Sequence, residues 1–329
     1  MKRQDSFKKD LAIAIGSSGS ATGYTAVSAL KNSFGRQGYR VIACDTNPRH
    51  LVAAATVADD FLQLPPAVDP EFVPKTIDLF KSQNIGYFYP IHDQEIIATA
   101  KAREVFQANN ITPCCVGVEA AKLCTDKLES TRRLLKEGIH VPKTYLLSEG
   151  IDFANRLIVK DRYGNGSKFV QVIETEKELE IMTAKVESNI DDYVVQEWID
   201  EPEVTIDAFF PSNYSFGKVV CRKRLEIKSG VTTKAHIFYD PIYFDVAYKI
   251  AKSFNLFGSF CFQTRGQDNF VIDVNPRIGG ATAMSVALGI DFPSAHVACF
   301  LGHEPRSYLK QEYRECFVTR SYREHIAYA

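Results

Sequence analysis

The chain of 329 residues is 45% hydrophobic and 24% charged, with a formal net charge of −1 at pH 7. That length suits two or three packed subdomains better than one small core. The near-neutral balance excludes a broad basic field for nucleic acid or an anionic membrane, so small molecules or other protein surfaces are the expected partners.

No apolar run approaches the roughly 20 residues of a spanning helix. The N-terminal stretch MKRQDSFKKDLAIAIG lacks the apolar region and cleavage site of a leader peptide. The eight cysteines (Cys44, Cys114, Cys115, Cys124, Cys221, Cys261, Cys299 and Cys316) form no CxxC pair and no metal-ligand spacing. Buried, reduced thiols in a cytoplasmic protein with no membrane partner are the expectation.

Taken in chain order, LAIAI at 11–15 reads as a buried parallel strand. A small-residue loop and helix follow at 16–34, then the strand YRVIACD. Further strands are expected at DDFLQL and IGYFYPI, with helices at FVPKTIDLFKSQ and QEIIATAKAREVFQAN between them. This alternation predicts βαβ units and a doubly wound parallel sheet over residues 1–118. Residues 117–137 read as one helix ending at Gly138. Short strands LIVKD, KFVQVI, YVVQEW and VTIDAFF then surround a helix at EKELEIMTAKV. The strand KVVCRKRLEI, the helix FDVAYKIAKSF, the strands SFCFQTR and NFVIDVN, and a helix after Gly279-Gly280 complete the pattern. Residues 312–328 read as a hairpin covering a sheet edge. The fold class is therefore α/β, with α+β character in the second half.

Gly16, Gly19 and Gly23 follow the first strand, and Asp45 ends the second. Their spacing is G-x-x-G-x-x-x-G, not the dinucleotide fingerprint, so a glycine-rich turn without nicotinamide is preferred. Asp93 and Glu95 sit at a strand end, where they touch substrate or cap the next helix; capping is preferred.

Four separated segments carry the chemistry. Lys127 lies in a helix ahead of the turn GIHVP. Lys160 ends the strand LIVK, ahead of a loop with Tyr163, Gly164, Gly166 and Ser167 whose backbone N–H groups suit phosphate oxygens. Each lysine alone also reads as a solvated surface charge. In the third segment, Gln196, Glu197, Trp198 and Ile199 offer a strand edge and apolar cover to an adenine, and Glu203 an acceptor to a ribose. A plain turn with exposed acids is the alternative. In the fourth, Asp273 and Asn275 alternate on one strand and so share a face, and Gln263 reaches it from the partner strand. Three such oxygen donors suit Mg²⁺, and Arg277 stands next to them with a planar fork for phosphate.

Together these segments resemble the ATP-grasp superfamily over nearly the whole chain. TDKLESTRRLLKEGIHVP looks like its lysine helix and LIVKDRYGNGSKFV its strand and phosphate loop. VVQEWIDEPEVTIDAFF is similar to the adenine hinge of D-alanine–D-alanine ligases and biotin carboxylases. The resemblance implies Lys127 and Lys160 on the nucleotide, Gln196, Glu197 and Ile199 at adenine, and Glu203 at ribose. Gln263 with DVNPR is closest to the large subunit of carbamoyl-phosphate synthetase. Two departures are Asp273 and Gln196, both usually Glu in the family.

The implied organisation is a Rossmann-like pre-ATP-grasp domain at 1–118, a two-lobed ATP-grasp domain at 119–304 with its small lobe near 150–210, and a C-terminal hairpin at 305–329. The implied activity is ATP-dependent carboxylate–amine or carboxylate–thiol ligation through an acyl phosphate, with Mg²⁺ or Mn²⁺. Arg277 and Arg224 would steady the transferring phosphoryl group. Small-molecule acids and amines are the implied partners, and a homodimer fits the family. Bicarbonate or carbamate phosphorylation as half of a split enzyme, direct phosphorylation of a substrate, and a non-catalytic ATP-binding module are the alternatives.

Overall fold

The computed structural model describes residues 11–149, 151, 153, 155–163, 169–228, 230–321 and 323–327. Gly164, Gly166 and Ser167 lie outside them. The first unit is a wholly parallel sheet of β1 (Ala12–Ile15), β2 (Arg40–Asp45), β3 (Asp60–Gln63), β4 (Ile85–Tyr89) and β5 (Thr112–Pro113), ordered β3-β2-β1-β4-β5. Every residue of the central β1 is buried, as a strand with helices on both faces requires. The helices are α1 (Ala21–Ser33), α2 (Phe72–Ser82), α3 (Asp93–Lys101) and α4 (Arg103–Ala108). One helix was expected over 94–109, but Ala102 (φ −95°, ψ 15°) leaves helical geometry and splits it.

The single helix expected at 117–137 also divides, into α5 (Val118–Thr125) and α6 (Lys127–Lys136). Asp126 is the break: its backbone is extended (φ −83°, ψ 101°), and its carboxylate accepts from Leu128 N and Glu129 N. That is an N-cap, which stabilises a helix by about 1 kcal/mol and here makes Lys127 the first helical residue.

A four-stranded antiparallel sheet follows, ordered β6-β9-β7-β8, from β6 (Thr144–Leu146), β7 (Leu157–Asp161), β8 (Val170–Ile173) and β9 (Tyr193–Glu197), backed by α7 (Glu176–Lys185). The largest sheet has six strands, ordered β14-β13-β10-β11-β12-β15. They are β10 (Glu203–Phe210), β11 (Lys218–Lys228), β12 (Val231–Phe238), β13 (Gly258–Arg265), β14 (Phe270–Asn275) and β15 (Cys316–Thr319). The helices α8 (Pro241–Phe254), α9 (Thr282–Ala287) and α10 (Phe292–Leu301) complete the molecule.

Two corrections concern this sheet. β12 was not anticipated, because VTTKAHIF mixes polar residues into its solvent parity. The expected C-terminal hairpin is one strand, β15, paired antiparallel with β12. It covers that edge, leaving no second arm to pair among the described residues.

The strand period sorts the large sheet. Val204, Ile206, Ala208, Cys221, Phe260 and Phe262 turn to a core under α8. On the opposite face, Phe209, Val220, Ala235 and Ile237 pack beneath the first unit with α9 and α10. The rest of that second face is polar and opens onto a cleft.

Candidate active site

The cleft lies between the small sheet and the polar part of the large one, with a cavity of 680 Å³. Its walls bring together Lys127, Lys160, Gln196, Glu197, Trp198, Ile199, Glu203, Arg224, Gln263, Asp273, Asn275 and Arg277. Alternation explains the large-sheet wall: Glu203 and Thr205 of β10, Arg222 and Arg224 of β11, and Cys261, Gln263 and Arg265 of β13 each occupy one parity.

Gln263 stands directly opposite Asp273 in the β13–β14 ladder, and Asn275 Nδ2 donates to Asp273 Oδ2 at 2.8 Å. Gln263 Nε2 donates to Glu203 Oε1 at 3.3 Å. Both amides thus direct N–H groups at carboxylates and keep a carbonyl oxygen as an acceptor. The ladder slips between Gln263 and Thr264, so Ile272 is extra and joins Asp273 on the cavity wall. Among the described residues, no group of three or more His, Cys, Asp and Glu side chains could hold a metal ion, so a cation here would rely on amide oxygens.

Across the cleft, Lys160 is buried on β7 and donates to Gln196 Oε1 at 2.8 Å. Gln196 in turn donates to Thr144 Oγ1 at 2.7 Å. Burial lowers the Lys160 ammonium to about 8, with Asp273 opposing and Lys127 and Arg265 adding to the fall. A lysine that meets a neutral amide keeps its charge uncompensated and available to an anion. Lys127 is carried in by the Asp126 cap, and Arg162 holds Asp126 through Nε at 2.9 Å and Nη2 at 2.6 Å.

At the hinge, Glu197 N and Trp198 N already donate to the carbonyls of Lys143 and Arg156. Ile199 is the first hinge N–H that no backbone carbonyl takes among the described residues. Trp198 is flanked by Arg156 and Arg265, at 5.7 and 4.8 Å from the ring centre. Glu203, expected at a ribose, is held by Arg224 and by Arg265 Nε at 3.2 Å.

Three expectations are corrected. Arg277 does not present an open fork: Nε donates to both oxygens of Asp93 and Nη2 to Oδ2 at 2.8 Å. Asp93 therefore neither caps α3 nor stands free for substrate; His92 is the N-cap, and Glu95 completes the capping box. Burial raises Glu95 to about 7, against the hydrogen bonds it accepts from His92, Ser17 and Ile91. Tyr163 lies in a second groove, half exposed and stacked under Arg162 at 4.9 Å, because Arg162 is drawn away to Asp126. Asp45 is occupied by Gly19 N at 2.7 Å and Asn47 N at 2.9 Å, holding the glycine turn itself.

Sequence reasoning missed the apolar wall residues Ile158, Phe169, Val172 and Ile272, and the inner polar residues Thr22, Thr205 and Arg222. Parity along β11 would have found Arg222, two positions before Arg224. The bulge that turns Ile272 inward left no sign in the sequence.

Residues 124–281 match the family model of an ATP-grasp domain, and residues 13–114 that of a PylC-like N-terminal domain. A search of curated proteins finds no match. Among solved structures the chain is similar to the N5-carboxyaminoimidazole synthetase of Staphylococcus aureus complexed with ADP, at 18% identity and TM-score 0.71, covering 89% of this chain and 78% of that one. It is equally similar to an L-amino acid ligase from Bacillus licheniformis, at 18% identity and TM-score 0.71, covering 94% and 78%. A biotin carboxylase from Campylobacter jejuni follows at 16% identity and TM-score 0.69, covering 90% and 72%. At these identities the likeness is one of fold.

Proposed function

Because the chain belongs to the ATP-grasp superfamily, we propose that it is an ADP-forming ligase that joins a carboxylate to an amine, or to a thiol, through an acyl phosphate. The observation that carries this is the buried Lys160, matched among the described residues only by an amide, facing the Gln263–Asp273–Asn275 corner across one cavity.

In this reading Lys127 and Lys160 take the phosphates of ATP. The Ile199 N–H meets the adenine rim, with Gln196 and Glu197 beside it and Ile158, Val172, Trp198 and Ile272 as apolar cover. Glu203, with a lone pair left beyond its arginines, accepts from the ribose. Gln263, Asp273 and Asn275 would hold Mg²⁺, or Mn²⁺ on the same oxygens, which when bound neutralises phosphate charge. A carboxylate oxygen of the substrate attacks the γ-phosphorus and ADP leaves. The amine nitrogen then attacks the acyl carbon, phosphate departs, and the nitrogen loses a proton. This chain positions the reactants and offsets charge, and no protein nucleophile is required. Arg277, fixed by Asp93, contributes as an oriented positive charge beside the cavity and not as a free fork, and Arg224 does so from Glu203.

An ADP-release screen with acids and amines offered in pairs, followed by the mass of the product, tests this reading. A product mass equal to acid plus amine minus water supports it. A stable phosphorylated acid with no ligation would replace it by simple phosphoryl transfer. Phosphate release with bicarbonate as sole acceptor would favour the chemistry suggested by the Gln263 and DVNPR resemblance.

A further inference from the structure

Glu95 is 6% exposed and takes part in no step of the reaction above, yet it sits where two loops of the first unit meet. The first loop leaves β1 at Gly16 and runs through the N-cap Ser20 into α1, whose Thr22 lines the cavity. The second leaves β4 and carries Ile91, His92 and Asp93. Asp93 grips Arg277, and both stand on the cavity wall. Oε1 of Glu95 accepts from Ser17 N at 3.1 Å, while Oε2 accepts from Ile91 N at 3.3 Å and His92 N at 3.4 Å. One carboxylate thus clasps both loops, one with each oxygen.

Two backbone features go with this clasp. A Cβ on Gly16 would overlap the Glu95 carboxylate, so only glycine lets the first loop come this close. Ser17, which donates to Oε1, is held at φ 44°, in the left-handed region that residues with a side chain rarely adopt. A backbone kept there needs an outside anchor, and Glu95 supplies it.

Clasping both loops requires the ionised form. A carboxylate accepts on both oxygens, whereas a carboxylic acid turns one of them into an O–H donor facing an N–H. Protonation therefore releases one loop or the other. Burial brings that proton to about 7. Other titratable groups stand on the elements packed around it: Cys44 and Asp45 on β2, Tyr89 on β4, Cys124 on α5, and His92 and Asp93 at the head of α3. Burial pushes both thiols and the Tyr89 hydroxyl up. Asp45 is occupied by Gly19 N and Asn47 N, and Asp93 is paired with Arg277. His92 caps α3 through Nδ1, and histidine is the other side-chain type that changes charge near neutral pH.

We infer that Glu95 is a positioning residue for the ligase reaction: as a carboxylate it sets Asp93, and through it Arg277, against the end of α1 that carries Thr22. The inference rests on the proposed function and adds to it a control of turnover by pH. The clasp opens on the acid side of about 7, and Lys160 loses its charge on the alkaline side of about 8. Turnover is thereby confined to a narrow window between them.

The test is the pH profile of kcat for ADP release, measured on the full chain with the acid and amine that the paired screen yields. In the wild type kcat is expected to fall as pH drops through about 7, with the KM for ATP within about twofold. Glu95→Gln cannot gain or lose a proton there. It should show no acid limb and run about tenfold below the wild-type maximum at every pH on that side. His92→Asn keeps a capping side chain and should keep the wild-type limb. A limb that survives in Glu95→Gln, or that vanishes in His92→Asn, overturns the inference and leaves the ligase reading standing. No ADP release by the wild type with any pair removes the ligase reading and the inference with it. Should Glu95→Gln not fold, wild-type hydrogen exchange at Ser17, Ile91 and His92 decides. Corrected for intrinsic rates, protection should be weaker at ~pH 6 than at ~pH 8, and equal protection overturns the inference.

Discussion

Lys160 and Gln196 form a buried ammonium–amide pair at 2.8 Å, and among the described residues no carboxylate shares it. The pair keeps the lysine's proton labile and its charge available to ATP. Lys160→Ala is expected to abolish ATP turnover while circular dichroism and Tm stay near wild type. Wild-type ADP release in this variant would remove Lys160 from the site.

The same pair sets a pH dependence. Burial holds Lys160 at about 8, so its charged form, which binds phosphate, dominates below that value and is lost as pH rises through it. The kcat/KM for ATP should therefore fall on an alkaline limb near pH 8. Gln196→Glu places an anion against the ammonium and should move that limb upward. A limb that does not move would assign it to another group.

Asp273→Ala should abolish ATP turnover with the fold intact, since Asp273 lies on the cavity wall and, among the described residues, only Asn275 depends on it for a side-chain hydrogen bond. The check is ADP release with Mn²⁺ and Mg²⁺ alongside thermal denaturation. Activity within twofold of wild type with either metal would place the cation elsewhere.

Asp126→Ala removes both the cap of α6 and the partner of Arg162. A loss of about 1–2 kcal/mol in stability is expected from denaturant titration. Burial works to raise the Asp126 pKa, but Arg162 and the backbone donors of α6 hold it below the ordinary value. Its contribution is therefore present above the unfolded pKa and lost as pH falls through the folded one. The KM for ATP should rise as well, because Lys127 loses the helix start that places it.

Asp93→Ala leaves Arg277, which is four-fifths buried, without its carboxylate. Destabilisation of ~2–3 kcal/mol is expected, below the figure for a fully buried pair because of residual exposure. If Arg277 acts through its fixed charge, kcat should drop while the KM for ATP changes little. A fall in stability with unchanged kcat would make the pair purely structural.

The alternation of strands and helices in the first hundred residues made the parallel sheet legible, because its apolar runs report burial on both faces. The polar pair Asp273 and Asn275 was legible for a related reason: period two puts both on one face. Less legible was anything decided by partners distant in the chain. Whether Arg277 would meet phosphate or Asp93 depends on α3 of the first unit, 184 positions away. The breaks at Ala102 and Asp126 interrupt helices whose apolar pattern continues across them. Tyr163 was misplaced because the stacking of Arg162 depends on the tertiary position of Asp126.

The polar wall of the large sheet is assembled from alternate positions of neighbouring strands, and this makes it sensitive to a change that substitution does not produce. Deleting one residue before Gln263 in β13 would invert the strand and present Phe262 or Thr264 to the cleft, while pushing a glutamine into the core under α8. Insertions and deletions in this sheet should therefore be confined to its turns. Distant relatives can diverge freely in residue identity so long as each strand keeps its count.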